Sequence, residues 1–177
     1  MKTSSRVLVG VLSMSAAAFV ARISHEGYTT QAIIPTRGDV PTKGFGSTVN
    51  ANGARVRMGE AIDPVTAVRL ALTHIQKDEA KIKQCIGVNV ALHQAEFDVY
   101  TELAYNIGNY NFCTNPKTGG PGLIPRKLKA GDYAGACDGI LAYKYANNYD
   151  CSTPGNRICS GVWTDRLRLH AQCTGAR

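Results

Sequence analysis

Glu26, Asp39 and Thr42 are the residues of this 177-residue chain whose types and spacing suit chemistry. Glu26 closes a short apolar stretch, FVARISHE. Asp39 sits in a Gly-Asp turn, and Thr42 opens TKGFGST, which is punctuated by Gly44 and Gly46. A carboxyl at a helix end, set against a second carboxyl and a hydroxyl on a glycine-rich hairpin, suits cleavage of a glycosidic bond. One acid protonates the leaving oxygen; the other carboxylate activates water or attacks. Burial beside an apolar wall would disfavour the charged form of the first carboxyl, as a proton donor requires. The separation of the two carboxyls decides between inversion and retention, and spacing along the chain does not supply it. Each residue also has an ordinary use, as a surface charge, a turn aspartate or a strand threonine. The four histidines, His25, His74, His93 and His170, lack metal-ligand spacing, and neither GxSxG nor a phosphate-binding loop occurs. No metal and no cofactor is therefore expected.

These residues need a scaffold. Phe19 and Ile23 lie four apart, on one face of a helix leading into Glu26. Residues 27–58 lack helical periodicity; Thr29, Thr30, Ile33 and Ile34 suit strands between Pro and Gly turns, with residues 55–57 as a last strand. Asp63-Pro64 opens a long helix stopped by Gly87, with Val65, Val68, Leu72, Ile75 and Ile82 as its apolar stripe. Further helices are predicted over 92–108, over 123–129, after an Asp132 cap, and from Ser160, where Trp163, Leu167 and His170 share a side. Asn106, in YNIG near a helix end, offers an amide for sugar hydroxyls or N-acetyl groups, or for local backbone. Tyr143, Tyr145 and Tyr149 suit sugar stacking or packing.

Taken together, HEGY, GDVPTKGFGST, FDVYTELAYNIGNYNF, KLKAGDYAGAC and WTDRLRLHAQC resemble the phage-type lysozymes, glycoside hydrolase family 24, from about Ile23 to the C-terminus. The resemblance implies an α+β fold, with a small β-hairpin lobe and a larger helical lobe joined by a long helix around an active-site cleft. It implies an endolysin muramidase that cuts peptidoglycan between N-acetylmuramic acid and N-acetylglucosamine. Its Glu–Asp–Thr triad would be Glu26, Asp39 and Thr42, with Asn106 as a substrate-binding residue. The usual family spacing places eight residues between Glu and Asp and five between Asp and Thr. Counted back from Thr42, that acid position holds Thr36, so Asp39 stands in from a variant hairpin. A lytic transglycosylase and a non-catalytic cationic wall-binding protein are the competing readings.

Net charge of +7 favours anionic partners, among them the bacterial wall and membrane surfaces. No RNA-binding aromatic motif or zinc-finger spacing points to nucleic acid. A monomer is expected. The six cysteines, an even number without CxxC, suit disulfides formed in an oxidising compartment. Fifteen pairings exist, so connectivity does not follow from the sequence; Cys151–Cys159 closes a short turn-rich loop, and Cys85–Cys113 with Cys137–Cys173 is one arrangement that sets their segments side by side. Residues 1–6 carry two positive charges and 7–21 none, the pattern of an export signal. That run is short and weakly apolar for a span of about 20 residues. Cleavage at the A-x-A formed by Ala16 and Ala18 would cut into the helix leading to Glu26. An uncleaved segment resembles the signal-anchor-release element of certain phage endolysins, which meets the host export machinery and inner membrane before release into the periplasm. The chain then divides into an export segment, 1–21, and a catalytic domain, 22–177. A cleaved signal and a cytosolic core helix are the alternatives.

Overall fold

The structure is a computed structural model and describes residues 5–35 and 38–176. In chain order the elements are β1 (Val7–Leu8), α1 (Ala16–Glu26), β2 (Thr29–Ile33), β3 (Thr42–Gly44), α2 (Pro64–Ile86), β4 (Ala91–Leu92) and α3 (Gln94–Ile107). They continue with α4 (Asn109–Cys113), α5 (Leu123–Lys129), α6 (Tyr133–Asp138), β5 (Tyr145–Ala146), β6 (Tyr149–Asp150) and α7 (Ser160–Gly175). The chain divides into two compact units, Ser15–Lys77 and a second formed by Met1–Met14 with Asp78–Arg177. The mixed α+β class agrees with the sequence expectation.

Local chemistry sets the helix ends of the first unit. Ser15 accepts from Ala18 N at 3.1 Å and caps α1, which stops at Gly27 with φ +73°. Asp63 accepts from Thr66 N at 2.9 Å ahead of Pro64, and Gly87, at φ +105°, lies just past the end of α2. Between them β2 and β3 pair antiparallel, Thr29 with Gly44 and Ile33 with Thr42, with an irregularity that leaves extra residues on β2. The stretch 47–62 adds only isolated bridges, Gln31–Ala61 and Val49–Arg55 among them, so the last strand expected at 55–57 is reduced to one pairing. A small apolar cluster of Ile62, Ala67 and Leu70, with Tyr28 and Phe45 against it, holds sheet and helix together.

In the second unit, Phe97, Tyr100, Leu103, Phe112, Ile124, Ile140 and Leu169 are fully buried around α3. Three disulfides close it, Cys85–Cys113, Cys137–Cys173 and Cys151–Cys159, in the expected pairing. The Tyr100 hydroxyl lies 3.3 Å from Cys173 Sγ and 3.7 Å from Cys137 Sγ, so the bridge offers this buried phenol polar contacts. Two helical stripes differ from expectation. Val65 and Leu72 of α2 are exposed, and the buried positions are Ala67, Leu70, Ala71, Ile75, Ile82 and Ile86. On α7 the inward residues are Arg166, Leu169 and Cys173, while Leu167 is exposed. The bridge from Cys173 to Cys137 fixes the rotation of α7, a constraint periodicity does not carry.

The N-terminal residues are stitched into this second unit. Val9 is fully buried and Leu12 nearly so. β1 pairs antiparallel with β4, and Val9 N and Gly10 N donate to Val90 O and Val88 O at 2.8 and 3.0 Å. Met14 N donates to Glu79 Oε1 at 2.6 Å, and Gln94 Nε2 to Ser13 O at 2.7 Å. Arg6 donates from Nε and Nη2 to the two oxygens of Glu96 at 3.3 and 3.0 Å and lies 3.9 Å from the Tyr133 ring centroid. Glu96 is completely buried and also accepts from His93 N, capping α3. Val9 and Leu12 of the expected export segment thus belong to a folded core, while Val7, Leu8 and Val11 are exposed.

A buried carboxylate whose cation is removed keeps its desolvation cost without the compensating attraction. Arg6→Ala is expected to destabilise the protein by about 2–3 kcal/mol, read as a lower urea midpoint at unchanged slope. An unchanged midpoint would show that Glu96 does not depend on Arg6.

Candidate active site

Glu26 is the last residue of α1, and its side chain is 29% exposed. Two groups of its own unit hold it. Arg22, one helical turn earlier and itself buried, donates from Nη2 to Glu26 Oε1. On the other side the chain turns through Gly46 at φ +76°, where a Cβ would lie 3.2 Å from Glu26 Oε2. The expected apolar wall is therefore a guanidinium and a glycine backbone.

The GxG in TKGFGST has a physical basis at both positions. Gly44 has φ +63°, and a Cβ there would come within 2.9 Å of Ala67 Cβ on α2. Gly46 lets the backbone reach the carboxyl of Glu26. Between them Phe45 packs with Tyr28, ring centroids 5.4 Å apart, and the Tyr28 hydroxyl donates to Ile62 O at 2.8 Å. The hairpin is thus locked onto α2 and offered to Glu26.

Thr42 begins β3, half-buried, two residues before Gly44. Asp39 is exposed in the loop leading to β3, and its Oδ1 accepts from Val40 N at 2.8 Å. Thr36, at the family's usual acid position, lies outside the described residues. Glu26, Asp39 and Thr42 all belong to the Ser15–Lys77 unit.

Asn106 belongs to the other unit, exposed near the end of α3, with Nδ2 3.4 Å from Asp165 Oδ2. It lines a hollow of about 410 Å³ together with Tyr143, Tyr145 and Arg166. Arg166 is buried and donates from Nε to Tyr143 O at 3.1 Å, and desolvation lowers its pKa below the usual arginine value. Burial likewise raises the pKa of Tyr143, keeping it a neutral donor. Tyr143 packs against the core, whereas Tyr145 and Tyr149 are exposed on the β5–β6 hairpin. Across that hairpin Lys144 and Ser152 hold Asp150, whose pKa falls to about 2.

The profile of the phage lysozyme family matches residues 23–158. The chain belongs to the phage lysozyme family. It is a glycoside hydrolase of the lysozyme type, an endolysin muramidase whose substrate is bacterial peptidoglycan. Solved structures share the fold. The endolysin of Escherichia coli O157:H7 phage FAHEc1 superposes with a TM-score of 0.70 at 20% identity, covering 94% of this chain and 96% of that one. A mutant of P22 lysozyme gives 0.70 at 24%, covering 93% and 99%. The active form of the P1 phage endolysin Lyz gives 0.70 at 20%, covering 93% and 87%. No curated protein sequence matches the chain.

Two features of this lysozyme go beyond the sequence reading. Arg22 lies at the i, i+4 spacing that pairs charges on a helix, a signal present in the chain. The role of Gly46 requires knowing what stands opposite it.

Gly46→Ala combines a strained φ with crowding of the Glu26 carboxyl. It is expected to lower kcat on cell walls about tenfold or more while the far-UV spectrum is retained. Activity within twofold of the parent would show that the carboxyl tolerates displacement.

Proposed function

We propose that Glu26 is the general acid of the muramidase and that Asp39 and Thr42 place the attacking water. Glu26 delivers its proton to the glycosidic oxygen of the leaving sugar, and the carboxylate of Asp39 takes a proton from water held by the Thr42 hydroxyl. Asn106 binds an N-acetyl group or sugar hydroxyl. The observation that carries this reading is the placement of Glu26 at the end of α1, in the same unit as Asp39 and Thr42, with its Oε2 facing the glycine turn at Gly46, where a Cβ would lie 3.2 Å away. That seat fixes direction, on which proton transfer depends steeply.

Glu26→Gln is expected to abolish wall hydrolysis with folding unchanged. Asp39→Asn is expected to reduce turnover at least about a hundredfold, in the range of general acid–base catalysis, and Thr36→Ala to leave it near the parent value. A Glu26→Gln protein with parental turnover, or a reversed order for Asp39 and Thr36, refutes the assignment. Analysis of the products for a reducing muramic end, against an anhydro ring, separates hydrolysis from transglycosylation.

The N-terminal segment adds a route to the wall. We infer that it is exported uncleaved through the host machinery, held at the inner membrane, and released as the active periplasmic enzyme. Two facts support retention. Residues 7–21 are uncharged, and in the folded protein Val9 and Leu12 are core residues while Arg6 and Met14 N satisfy Glu96 and Glu79. No helix of the described residues is long and apolar enough to cross a membrane, so a tethered form requires residues 7–21 to leave this arrangement. Membrane-bound and soluble forms are expected to have identical intact mass, with only the soluble form active. An active protein beginning after Ala18 or Ala21 would exclude retention.

A further inference from the structure

Arg22 stands one helical turn before Glu26 on α1, outside the motifs that carry the family resemblance. Its guanidinium donates from Nη2 to Glu26 Oε1, and the two ends of the pair differ in depth. The Arg22 side chain is 6% exposed and that of Glu26 29%. Charge pairs at i, i+4 usually lie along the solvated face of a helix, where they add little. A guanidinium taken out of water is costly unless a charged acceptor meets it. Here the acceptor it meets is the carboxyl read as the proton donor.

The pair makes the two oxygens of Glu26 unequal. Arginine has donors only, so an oxygen that meets it must accept. A protonated carboxyl has one O–H, and its other oxygen remains an acceptor. With Oε1 turned to Arg22, the proton belongs on Oε2. That oxygen faces the turn at Gly46, where a Cβ would lie 3.2 Å away, so the glycine leaves it room. Glu26 is also the last residue of α1. The C-terminal end of a helix carries unsatisfied carbonyls and partial negative charge, which disfavour a carboxylate and favour a cation. A guanidinium at that end offsets the negative charge that appears on Glu26 as its proton leaves.

We propose that Arg22 is the positioning residue of the general acid. It confines the transferable proton to Oε2, on the Gly46 side, and it compensates the charge left on the carboxylate afterwards. The proposal rests on Glu26 being the acid. In the step, the Oε2–H bond breaks and its electron pair stays on Glu26. The proton bonds to the glycosidic oxygen, which keeps the electron pair of the breaking bond to the sugar carbon. Negative charge grows on the carboxyl as the proton moves, so the guanidinium acts more strongly on the transition state than on the bound substrate. Its loss therefore falls on kcat and leaves KM in place.

Two measurements test this. The first is NMR on Glu26→Gln protein with labelled side-chain amides, because the amide is a neutral stand-in for the protonated acid. Arg22 accepts no hydrogen bond, so the introduced carbonyl must turn to it and the introduced NH2 group to Gly46. A nuclear Overhauser effect from those amide protons to the Gly46 α-protons is expected, and it should fade when Arg22→Met is added. The second is steady-state kinetics on soluble peptidoglycan strands. Arg22→Met is expected to lower kcat about tenfold, the weight of one charge-assisted hydrogen bond, with KM within about twofold. Arg22→Lys is expected to recover part of that loss, since it restores the charge without the planar fork. An amide turned the other way, a kcat unchanged or raised by Arg22→Met, or a loss confined to KM would each overturn the proposal. The amide orientation is read with Arg22 in place, so it decides the matter even where Arg22→Met does not fold. An active Glu26→Gln enzyme would refute the acid assignment whatever the orientation; an inactive one with its amide reversed would refute only the role of Arg22.

Discussion

The space at Gly46, where a Cβ would lie 3.2 Å from Glu26 Oε2, is the constraint on which the catalytic unit depends. A carboxyl at the frayed end of an eleven-residue helix would ordinarily sample many directions. Here one oxygen is tied to Arg22, and the other lies where any side chain on residue 46 would crowd it. For the hairpin to arrive there it must cross α2 at Gly44 without a Cβ, turn through positive φ twice, and be held down by Phe45 on Tyr28. The Gly-Phe-Gly triplet is thus one device: two close approaches with an anchor between them.

A second dependence links the catalytic helix to the N-terminus. Val9 and Leu12 lie in the core of one unit, and Ser15 caps the helix that ends in Glu26 in the other. The segment read as an export element and the segment that positions the acid are contiguous, with no linker to uncouple them. Two acids, Glu79 and Glu96, are buried under the strap and take hydrogen bonds from it. Moving the strap into lipid would uncover these acids and remove their partners, so the strap's location bears on the integrity of the unit it packs into.

The disulfides serve the second unit in a different way. Cys85–Cys113 and Cys137–Cys173 join segments packed in one apolar core, Cys151–Cys159 closes a local loop, and Cys137–Cys173 additionally presents its sulfur to the buried Tyr100 hydroxyl. An export route and a stapled helical unit are mutually consistent, because these bridges form in an oxidising compartment.

Local chemistry was legible in the chain. The Asp63-Pro64 start and Gly87 stop of α2, the Asp132 cap, the short α5 and the Cys151–Cys159 loop follow from residue types acting within a few positions, and the structure bears them out. The motif order around Glu26 and the GxG was equally plain, and the family follows from it. What the sequence did not decide was which face of a helix turns inward and what stands opposite a given residue. Val65 and Leu72 fit the period of α2 yet lie exposed, and α7 turns Leu169 and Cys173 inward. Periodicity specifies a stripe, but neighbours choose its direction. Only tertiary structure set Gly46 against the carboxyl of Glu26, placed Arg6 over the buried Glu96, and paired Lys43 with Glu60. Each of these pairs residues distant in the chain, and no local propensity encodes the distance between them.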